Sequence, residues 1–201
     1  MRPDGTDPAL ATGNRMPPSG TRWTRSTHRD LGYTFHGSAM VITRFLRTSW
    51  LWDRVRVQGG AYGAFCRLDR LAGVFGCVSY RDPNVEQTLK AFDEMAAFLA
   101  RVPLPREEID MNIIGAIGDQ DAYLLPDAKG YVALVRSLTG HTQEVRDRIR
   151  AEVFGTTESH FRQFGAFLSQ LTDKSTVVVL GGEESLRKVS APLGLQLVSV
   201  L

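Results

Sequence analysis

Residues 50–83 read WLWDRVRVQGGAYGAFCRLDRLAGVFGCVSYRDP, and this segment predicts the centre of the fold. It begins with a basic, tryptophan-bearing portion that favours a short helix. Gly59 and Gly60 end that helix, because glycine tolerates the positive φ of a helix end or a tight turn. Two runs with strand character follow, residues 61–68 and 74–80, and a short polar turn separates them. This order predicts an antiparallel β-hairpin that directly follows the glycine pair.

A long helix is predicted immediately after the hairpin. Asp82 followed by Pro83 is typical of a helix start, with the aspartate as N-cap and proline in the first turn. An apolar stripe at helical spacing continues to about Arg101, and it consists of Val85, Leu89, Phe92, Met95 and Leu99.

Further helices are predicted on both sides of this unit. Ser38 is a candidate cap for a helix before it, and Thr157 for a helix near the C-terminal end. Between them, a helix after Pro105 is expected to bury Ile109, Ile113, Ile114 and Ile117. A helix capped by Asp127 is expected to bury Tyr131, Leu134, Val135 and Leu138.

Two more strands are predicted near the C-terminal end. Residues 176–180 form a continuous β-branched run, which favours a central strand, and residues 195–201 favour a last strand. Helices, a hairpin, more helices and two strands in this order predict an α+β fold. We expect an antiparallel or mixed sheet with helices packed on one face.

Composition excludes several classes of protein. The chain has 201 residues with 43% hydrophobic and 23% charged content, which is typical of one globular domain. A net charge of +2 is too small to indicate binding to nucleic acid or to an anionic membrane. Cys66 and Cys77 lie on the two predicted hairpin arms, so free thiols in a reducing compartment are favoured, while a bridge stays open.

Residues 1–28 differ in composition from the rest of the chain. They are rich in proline and glycine and poor in large aliphatic side chains, so we expect a disordered tail, followed by one domain at 29–201. The tail has several arginines, serines and threonines with few acids, which is faintly typical of a transit peptide; a plain tail is the simpler interpretation.

The sequence contains none of the common catalytic signatures. Its four histidines have no partner at metal-binding spacing, and neither H-E-x-x-H nor H-x-x-E-H occurs. Asp119, Asp121 and Asp127 form an acidic loop that lacks the pattern of a calcium site, so solvated acids are the simpler interpretation. We expect no metal site in this chain.

Arg56 and Tyr62 are the residues best suited to contact a substrate. Arginine offers several donors in a fixed plane and tyrosine offers one donor on a rigid ring. Gly59 and Gly60 would let the chain turn between them and let a ligand approach the backbone. Such a pair suits a peptide carbonyl or a developing oxyanion. On the residues alone, a surface arginine and a half-buried strand tyrosine are the simpler interpretation.

Three segments resemble one known family. They are GYTFHGSAMVITRFLRTSWLWDRVRVQGGAYGAFC, GVFGCVSYRDPN and IGDQDAYLLPDAKGY. From about Leu31 onward, the chain is similar to the C-terminal domain of presequence protease, a branch of the pitrilysin/insulinase-type zinc metallopeptidases. The resemblance implies a clam-shell peptidase whose zinc lies in the N-terminal half, held by an H-x-x-E-H helix and a distal glutamate.

The same resemblance assigns functions to residues of this chain. It implies that Arg56 and Tyr62 hydrogen-bond an unfolded peptide near the scissile bond, beside Gly59 and Gly60. It implies zinc in the complete enzyme, the N-terminal catalytic half as partner, and a mitochondrial or plastid location in a eukaryote or a cytoplasmic one otherwise. The chain alone lacks the catalytic half, so we expect it to be inactive by itself. A stand-alone peptide-binding or assembly module is the alternative hypothesis.

Overall fold

The sheet is antiparallel throughout and contains the predicted hairpin. The computed structural model describes residues 19–24, 33–171 and 175–198. In these ranges the strands have the spatial order β2-β3-β1-β4. They are β1 Ser19–Thr24, β2 Gly63–Leu68, β3 Phe75–Tyr80 and β4 Ser175–Leu180.

Helices account for most of the remaining described chain. A π-helix, Trp52–Gln58, takes the place of the short helix predicted before the glycine pair. The α-helices are α1 Ser38–Thr48, α2 Val85–Arg101, α3 Arg106–Gln120, α4 Pro126–Leu138, α5 Gln143–Phe154, α6 Glu158–Ser169 and α7 Glu183–Leu193.

Strand β1 corrects the prediction of a disordered segment at 1–28. Its six residues lie between β3 and β4, with Thr21 opposite Val78 on one side and Val178 on the other. A strand in this position exchanges backbone hydrogen bonds with both neighbours, a source of stabilisation that a composition argument does not register. The rest of that segment lies outside the described residues.

The C-terminal strands also differ from the prediction. Residues 175–180 form a strand, but β4 lies at the edge of the sheet and not at its centre. Val178 is exposed on one face while Val177 and Val179 pack against the core, so the β-branched run is covered on one side only. Residues 195–198 form no strand, and 199–201 lie outside the described residues.

One face of the sheet packs against the helices. Along β2, Ala64, Cys66 and Leu68 are buried, whereas Phe65 between them is 54% exposed. The Cys66 thiol donates to the carbonyl of Thr43 on α1, which ties this strand to the helical layer. Burying one large apolar side chain stabilises the fold by about 1.5–3 kcal/mol. Most of the stabilisation that the sheet gains from apolar burial therefore comes from the face that the helices cover. The predicted α+β class with helices on one face is confirmed.

Two helix starts lie close to the predicted positions but use other residues. Helix α2 has Asn84 as its N-cap, and the Asp82 carboxylate accepts from the Asn84 N–H at 2.9 Å instead of capping the helix itself. Helix α4 begins at Pro126, so Asp127 lies inside its first turn. Thr157 does open α6, in a reciprocal capping box with His160.

Helix α4 exposes the apolar face that was expected to be buried. No residue of α4 is buried, and Tyr131 is 70% and Leu138 78% exposed. On α3, Ile109 and Ile113 are buried as predicted, but Ile114 points outward. Periodicity shows that a helix has an apolar stripe; it does not show that the same chain covers that stripe.

Candidate substrate-contact site

The π-helix and the glycines after it build a sharp reversal of the chain. The Ala61 N–H donates to the Val55 carbonyl at 3.0 Å, and the Gly60 N–H donates to the Arg56 carbonyl at 3.0 Å. Gly60 has φ +75°, which favours glycine. A Cβ on Gly59 would lie 2.6 Å from the Val55 carbonyl oxygen, so this position has no room for a side chain. The two glycines therefore serve the turn in different ways.

Hydrogen bonds from neighbouring elements hold the reversal in place. The Asn84 side-chain amide donates to the Gly59 carbonyl at 2.7 Å, which links the turn to the start of α2. The Tyr62 N–H donates to the carbonyls of Tyr80 and Arg81, at 3.1 and 3.3 Å, which links it to the end of β3. The turn is therefore fixed by two elements that also belong to the core.

Arg56 lies on the π-helix and stacks on an aromatic ring of the same helix. Its guanidinium carbon is 4.0 Å from the centroid of the Trp52 ring, and Trp52 is 48% exposed. Among the described residues, no carboxylate pairs with Arg56, whereas its neighbour Arg54 contacts Asp53 and Gln58. Stacking uses the flat face of a guanidinium and leaves the N–H groups at its edge available to a ligand.

Tyr62 lies directly before β2 and is 67% exposed. Its ring meets the Tyr80 ring edge to face, with centroids 6.0 Å apart. The Arg81 guanidinium carbon lies 5.7 Å from the Tyr62 centroid and 5.4 Å from that of Tyr80. These contacts engage the ring, and they leave the hydroxyl as a donor at the surface.

The structure thus brings the four predicted site residues to one turn but gives them different surroundings. Gly59 is buried and Gly60 is exposed, so a ligand can reach the backbone directly at Gly60. Arg56 and Tyr62 lie on either side of the pair, each with an aromatic partner of its own. The guanidinium of Arg56 and the phenol of Tyr62 thus present hydrogen-bond donors on either side of the glycine turn.

Sequence reasoning missed Arg81 and the aromatic partner of Arg56. Arg81 has φ +48°, and it is the only residue other than glycine with a positive φ in the described parts of the chain. No local pattern in the sequence signals that conformation. A tryptophan four residues before an arginine on a helix does signal stacking, since positions i and i+4 share a face.

The remaining candidates have structural roles. Asp119 forms an ion pair with Arg44 at 2.8 Å. Arg150 forms a bidentate ion pair with Asp121, in which both N···O distances are 2.8 Å. The hydrogen bonds from Arg150 lower the pKa of Asp121 below its ordinary value. The predicted acidic loop is not one loop: Asp119 lies in the last turn of α3, Asp121 is the C-cap of α3, and Asp127 lies in α4. The first two acids tie the end of α3 to α1 and α5.

The two cysteines face each other across the hairpin. Cys66 is the register partner of Cys77, and both side chains are buried without a disulfide between them. Burial raises the pKa of the Cys66 thiol to about 12, so the reactive thiolate is strongly disfavoured. The thiols contribute to packing in this structure.

The part of the chain that contains this turn matches a known protein family. Residues 25–183 match the family described as the PreP C-terminal domain. The chain belongs to this family. The resemblance seen in the sequence is thereby confirmed, and Arg56, Tyr62 and the glycine pair all lie inside the matched part of this PreP C-terminal domain.

Relatives of this PreP C-terminal domain are much longer proteins. Presequence protease 1, chloroplastic/mitochondrial, of Arabidopsis thaliana is 45% identical over 155 residues, which are 77% of this chain and 14% of that protein. Protein HypA of Clostridium perfringens is 32% identical over 78% of this chain and 16% of its own length. Mitochondrial presequence protease of Danio rerio is 32% identical over 81% of this chain and 15% of its own. The chain thus spans about a seventh of these relatives.

Solved structures share the fold of this PreP C-terminal domain. An inactive peptidase domain from Bordetella parapertussis superposes with a TM-score of 0.57 at 14% identity, covering 83% of this chain and 91% of that one. A peptidase M16 inactive domain from Pseudomonas fluorescens gives a TM-score of 0.59 at 17% identity, over 81% of this chain and 40% of that one. At such identities the likeness shows the fold alone.

Neither a metal site nor a membrane span occurs in the described ranges. Within them, no group of three or more His, Cys, Asp or Glu side chains is arranged to hold a metal ion. The described residues therefore do not fit the zinc that the resemblance implies for a complete enzyme. No described helix is both long and apolar enough to cross a membrane.

Proposed function

We propose that the α+β domain of residues 29–201, together with β1, is the substrate-contacting C-terminal domain of a zinc metalloendopeptidase that degrades short unfolded peptides. In this proposal Arg56 binds the carbonyl or developing oxyanion near the scissile bond, and Tyr62 assists it. The observation that supports it most directly is a single glycine turn that carries both an exposed phenol and an arginine with no carboxylate partner among the described residues. That turn lies in a chain of the PreP C-terminal domain family.

The surroundings of each donor suit this role. Because Arg56 rests on the Trp52 ring, its charge is partly removed from water before a ligand arrives. A donor that is already oriented needs no reorganisation when charge develops on the substrate oxygen, and this is the main source of oxyanion stabilisation. Gly60 has φ +75° and no side chain, so a peptide can approach the backbone between the two donors.

The proposal assigns the zinc and the hydrolytic step to another part of the enzyme. We propose an N-terminal catalytic half as the partner, and the exposed apolar stripe of α4 as part of the surface that meets other domains. That stripe contains Tyr131, Leu134 and Leu138, all more than half exposed. The relatives from Arabidopsis thaliana and Danio rerio carry chloroplastic or mitochondrial locations in their names, which supports the same locations for a complete enzyme here.

The test is to place substitutions in a complete presequence protease that carries this domain. Arg56→Ala is expected to lower kcat/KM for an internally quenched, unstructured peptide by about 100-fold, the effect of losing one oxyanion donor. Tyr62→Phe, which removes only the hydroxyl, is expected to lower it by about tenfold, as for one lost hydrogen bond. Zinc content should not change, because neither residue is a metal ligand.

Arg54→Ala is the matched control. Arg54 lies two residues from Arg56 and stacks on Trp50 at 4.9 Å, but it pairs with Asp53, so cleavage should stay near wild type. Unchanged cleavage in both Arg56→Ala and Tyr62→Phe would overturn the substrate-contact role. If the 201-residue chain alone also bound the same peptide without zinc, the stand-alone module would then be favoured.

A further inference from the structure

Arg81 adopts a conformation that arginine avoids. Its φ is +48°, in the left-handed region, where the Cβ of an L-residue crowds the following carbonyl. The other positive-φ residues in the described chain are the glycines Gly60, Gly73, Gly140 and Gly194. Backbone strain at a bulky residue persists only where its surroundings enforce it, and such residues concentrate at functional sites.

The strained conformation brings Arg81 to the ring of Tyr62. The guanidinium carbon lies 5.7 Å from the Tyr62 centroid and 5.4 Å from the Tyr80 centroid, so one cation contacts both rings. The carbonyl of the same residue accepts from the Tyr62 N–H at 3.3 Å. Arg81 therefore holds Tyr62 through both its main chain and its side chain.

No other interaction in the described residues explains the position of Arg81. Among them no carboxylate pairs with its guanidinium, and the adjacent Asp82 is fully buried with one carboxylate oxygen accepting from Asn84. The side chain of Arg81 is exposed, so it contributes little apolar burial. The contacts with the rings of Tyr62 and Tyr80 are therefore the interactions that account for the position of the Arg81 side chain.

We propose that Arg81 is a positioning residue that fixes the ring of Tyr62 for contact with the peptide substrate, an inference that rests on the function proposed above. An exposed tyrosine ordinarily samples several side-chain rotamers, and each unproductive rotamer lowers the effective concentration of its hydroxyl at the site. A cation against the ring, with Tyr80 at its edge, restricts that freedom. The hydroxyl stays free to donate to the substrate.

The first test measures the ring itself in the 201-residue chain. With 3-fluorotyrosine incorporated, the Tyr62 resonance is assigned as the ¹⁹F signal that Tyr62→Phe removes. Arg81→Gly removes the guanidinium and also relieves the positive φ, so the variant should fold at least as stably as wild type. The Tyr62 signal is expected to move toward the free-tyrosine shift and to narrow as the ring becomes mobile. An unchanged Tyr62 signal in a folded Arg81→Gly chain would overturn the proposal.

The second test separates positioning from a structural role by a double-mutant cycle in a complete presequence protease that carries this domain. Arg81→Gly should lower kcat/KM for the quenched peptide by about twofold to fivefold when Tyr62 is present. It should have no further effect in the Tyr62→Phe background, because the hydroxyl being positioned is gone. Arg67→Ala, a charge removal on the exposed face of the same hairpin, is the control and should leave cleavage unchanged.

The outcomes separate a failure of the role proposed for Tyr62 from a failure of the role proposed for Arg81. If Tyr62→Phe cleaves like wild type, the function proposed for Tyr62 fails, while the ¹⁹F signal still decides whether Arg81 orders the ring. If Tyr62→Phe is impaired and the effect of Arg81→Gly adds to it in full, Arg81 acts independently of Tyr62 and the positioning role is overturned. Full non-additivity together with a mobile ring supports it.

Discussion

The guanidinium of Arg56 rests on the indole ring of Trp52, 4.0 Å from its centroid and four residues away on one π-helix. This contact ties the position of the proposed substrate donor to an aromatic residue that sequence reasoning did not assign to the site. A cation–π contact at a partly exposed position contributes about 0.5–1 kcal/mol. This contact therefore adds little to the stability of the fold. It has a measurable effect on a site whose activity depends on the orientation of Arg56.

Trp52→Ala is accordingly predicted to weaken peptide cleavage in a complete presequence protease that carries this domain. We expect kcat/KM to fall by about twofold to fivefold, because Arg56 loses the surface that orients it. Steady-state kinetics with a quenched peptide measure the change. Trp52→Phe keeps an aromatic face and should recover most of the loss. Equal rates for the alanine, phenylalanine and wild-type enzymes would show that stacking does not matter.

Gly59 and Gly60 are predicted to differ in their tolerance of alanine. Gly60→Ala should cost about 1 kcal/mol, since a side chain at φ +75° is strained but has space around it. Gly59→Ala should cost about 2–3 kcal/mol, because the new Cβ would lie 2.6 Å from the Val55 carbonyl oxygen and backbone must move. Urea unfolding of the 201-residue chain measures both.

Gly140→Ala supplies the baseline for that comparison. Gly140 also has a positive φ, +63°, and a Cβ there would meet nothing within 4 Å, so its cost isolates the backbone effect. Gly60→Ala should match it within about 0.5 kcal/mol. A Gly59→Ala chain as stable as the Gly140→Ala chain would contradict the crowding seen at the end of the π-helix.

Local patterns in the sequence were sufficient for the hairpin and for α2, and insufficient where distant chain segments meet. The alternation of Ala64, Cys66 and Leu68 with exposed residues is a property of one strand, so it can be read directly. The insertion of β1 between β3 and β4 depends on pairing between segments more than fifty residues apart, as at Thr21 and Val78. No local propensity encodes that choice of partner.

The same distinction between local features and contacts of distant segments applies to the candidate site. The glycine turn with Arg56 before it and Tyr62 after it could be predicted, because a turn and the residue types around it are local features. Contact of these residues with a substrate stays a prediction. The strained Arg81 could not, since its φ follows from how the end of β3 meets the start of α2. The sequence indicates which groups the site contains, and the packing of separate elements determines which of them touch.

His160, which stacks on His36, makes stability depend on pH. His36 and His160 lie with ring centroids 4.6 Å apart, nearly parallel. The Nδ1 atom of each accepts a backbone N–H, from Ser38 at 3.2 Å and from Thr157 at 3.0 Å. Protonation of His160 would place a hydrogen on a nitrogen that already faces a donor, in the first turn of α6 where positive charge is disfavoured.

The sign of the pH effect follows from the pKa of His160. Burial, and then the neighbouring His36, lower this pKa below its ordinary value of 6.5. The unfolded chain therefore binds more protons than the folded one between the lowered pKa and 6.5. The contribution of His160 to the free energy of unfolding should be complete above pH 6.5. It should decrease as the pH falls from there toward the pKa of His160 in the folded chain.

Urea unfolding at a series of pH values, for wild type and His160→Gln, tests this dependence. Glutamine at this position can complete the capping box without titrating, so the variant should lose stability less steeply below pH 6.5. Some slope should remain, because burial and nearby arginines also lower the pKa of His141. Identical slopes for the two chains would mean that His160 does not contribute.

The exposed stripe of α4 predicts self-association of the 201-residue chain. Tyr131, Leu134 and Leu138 lie on one side of the helix, and none of them is buried. An apolar surface of this kind marks a contact with another protein or domain, and without that contact it favours aggregation. We therefore expect the chain alone to form dimers or larger species at high concentration, as measured by sedimentation velocity.

Replacing Leu134 and Leu138 with glutamine should make the chain monomeric without unfolding it. Both side chains are exposed, so each substitution should change the free energy of unfolding by less than about 0.5 kcal/mol. Phe161→Ala gives the contrasting result, a loss of about 3–5 kcal/mol, because this ring is fully buried. If the glutamine variant associates as strongly as wild type, the surface responsible for self-association lies elsewhere. One that unfolds would show that α4 contributes to the core.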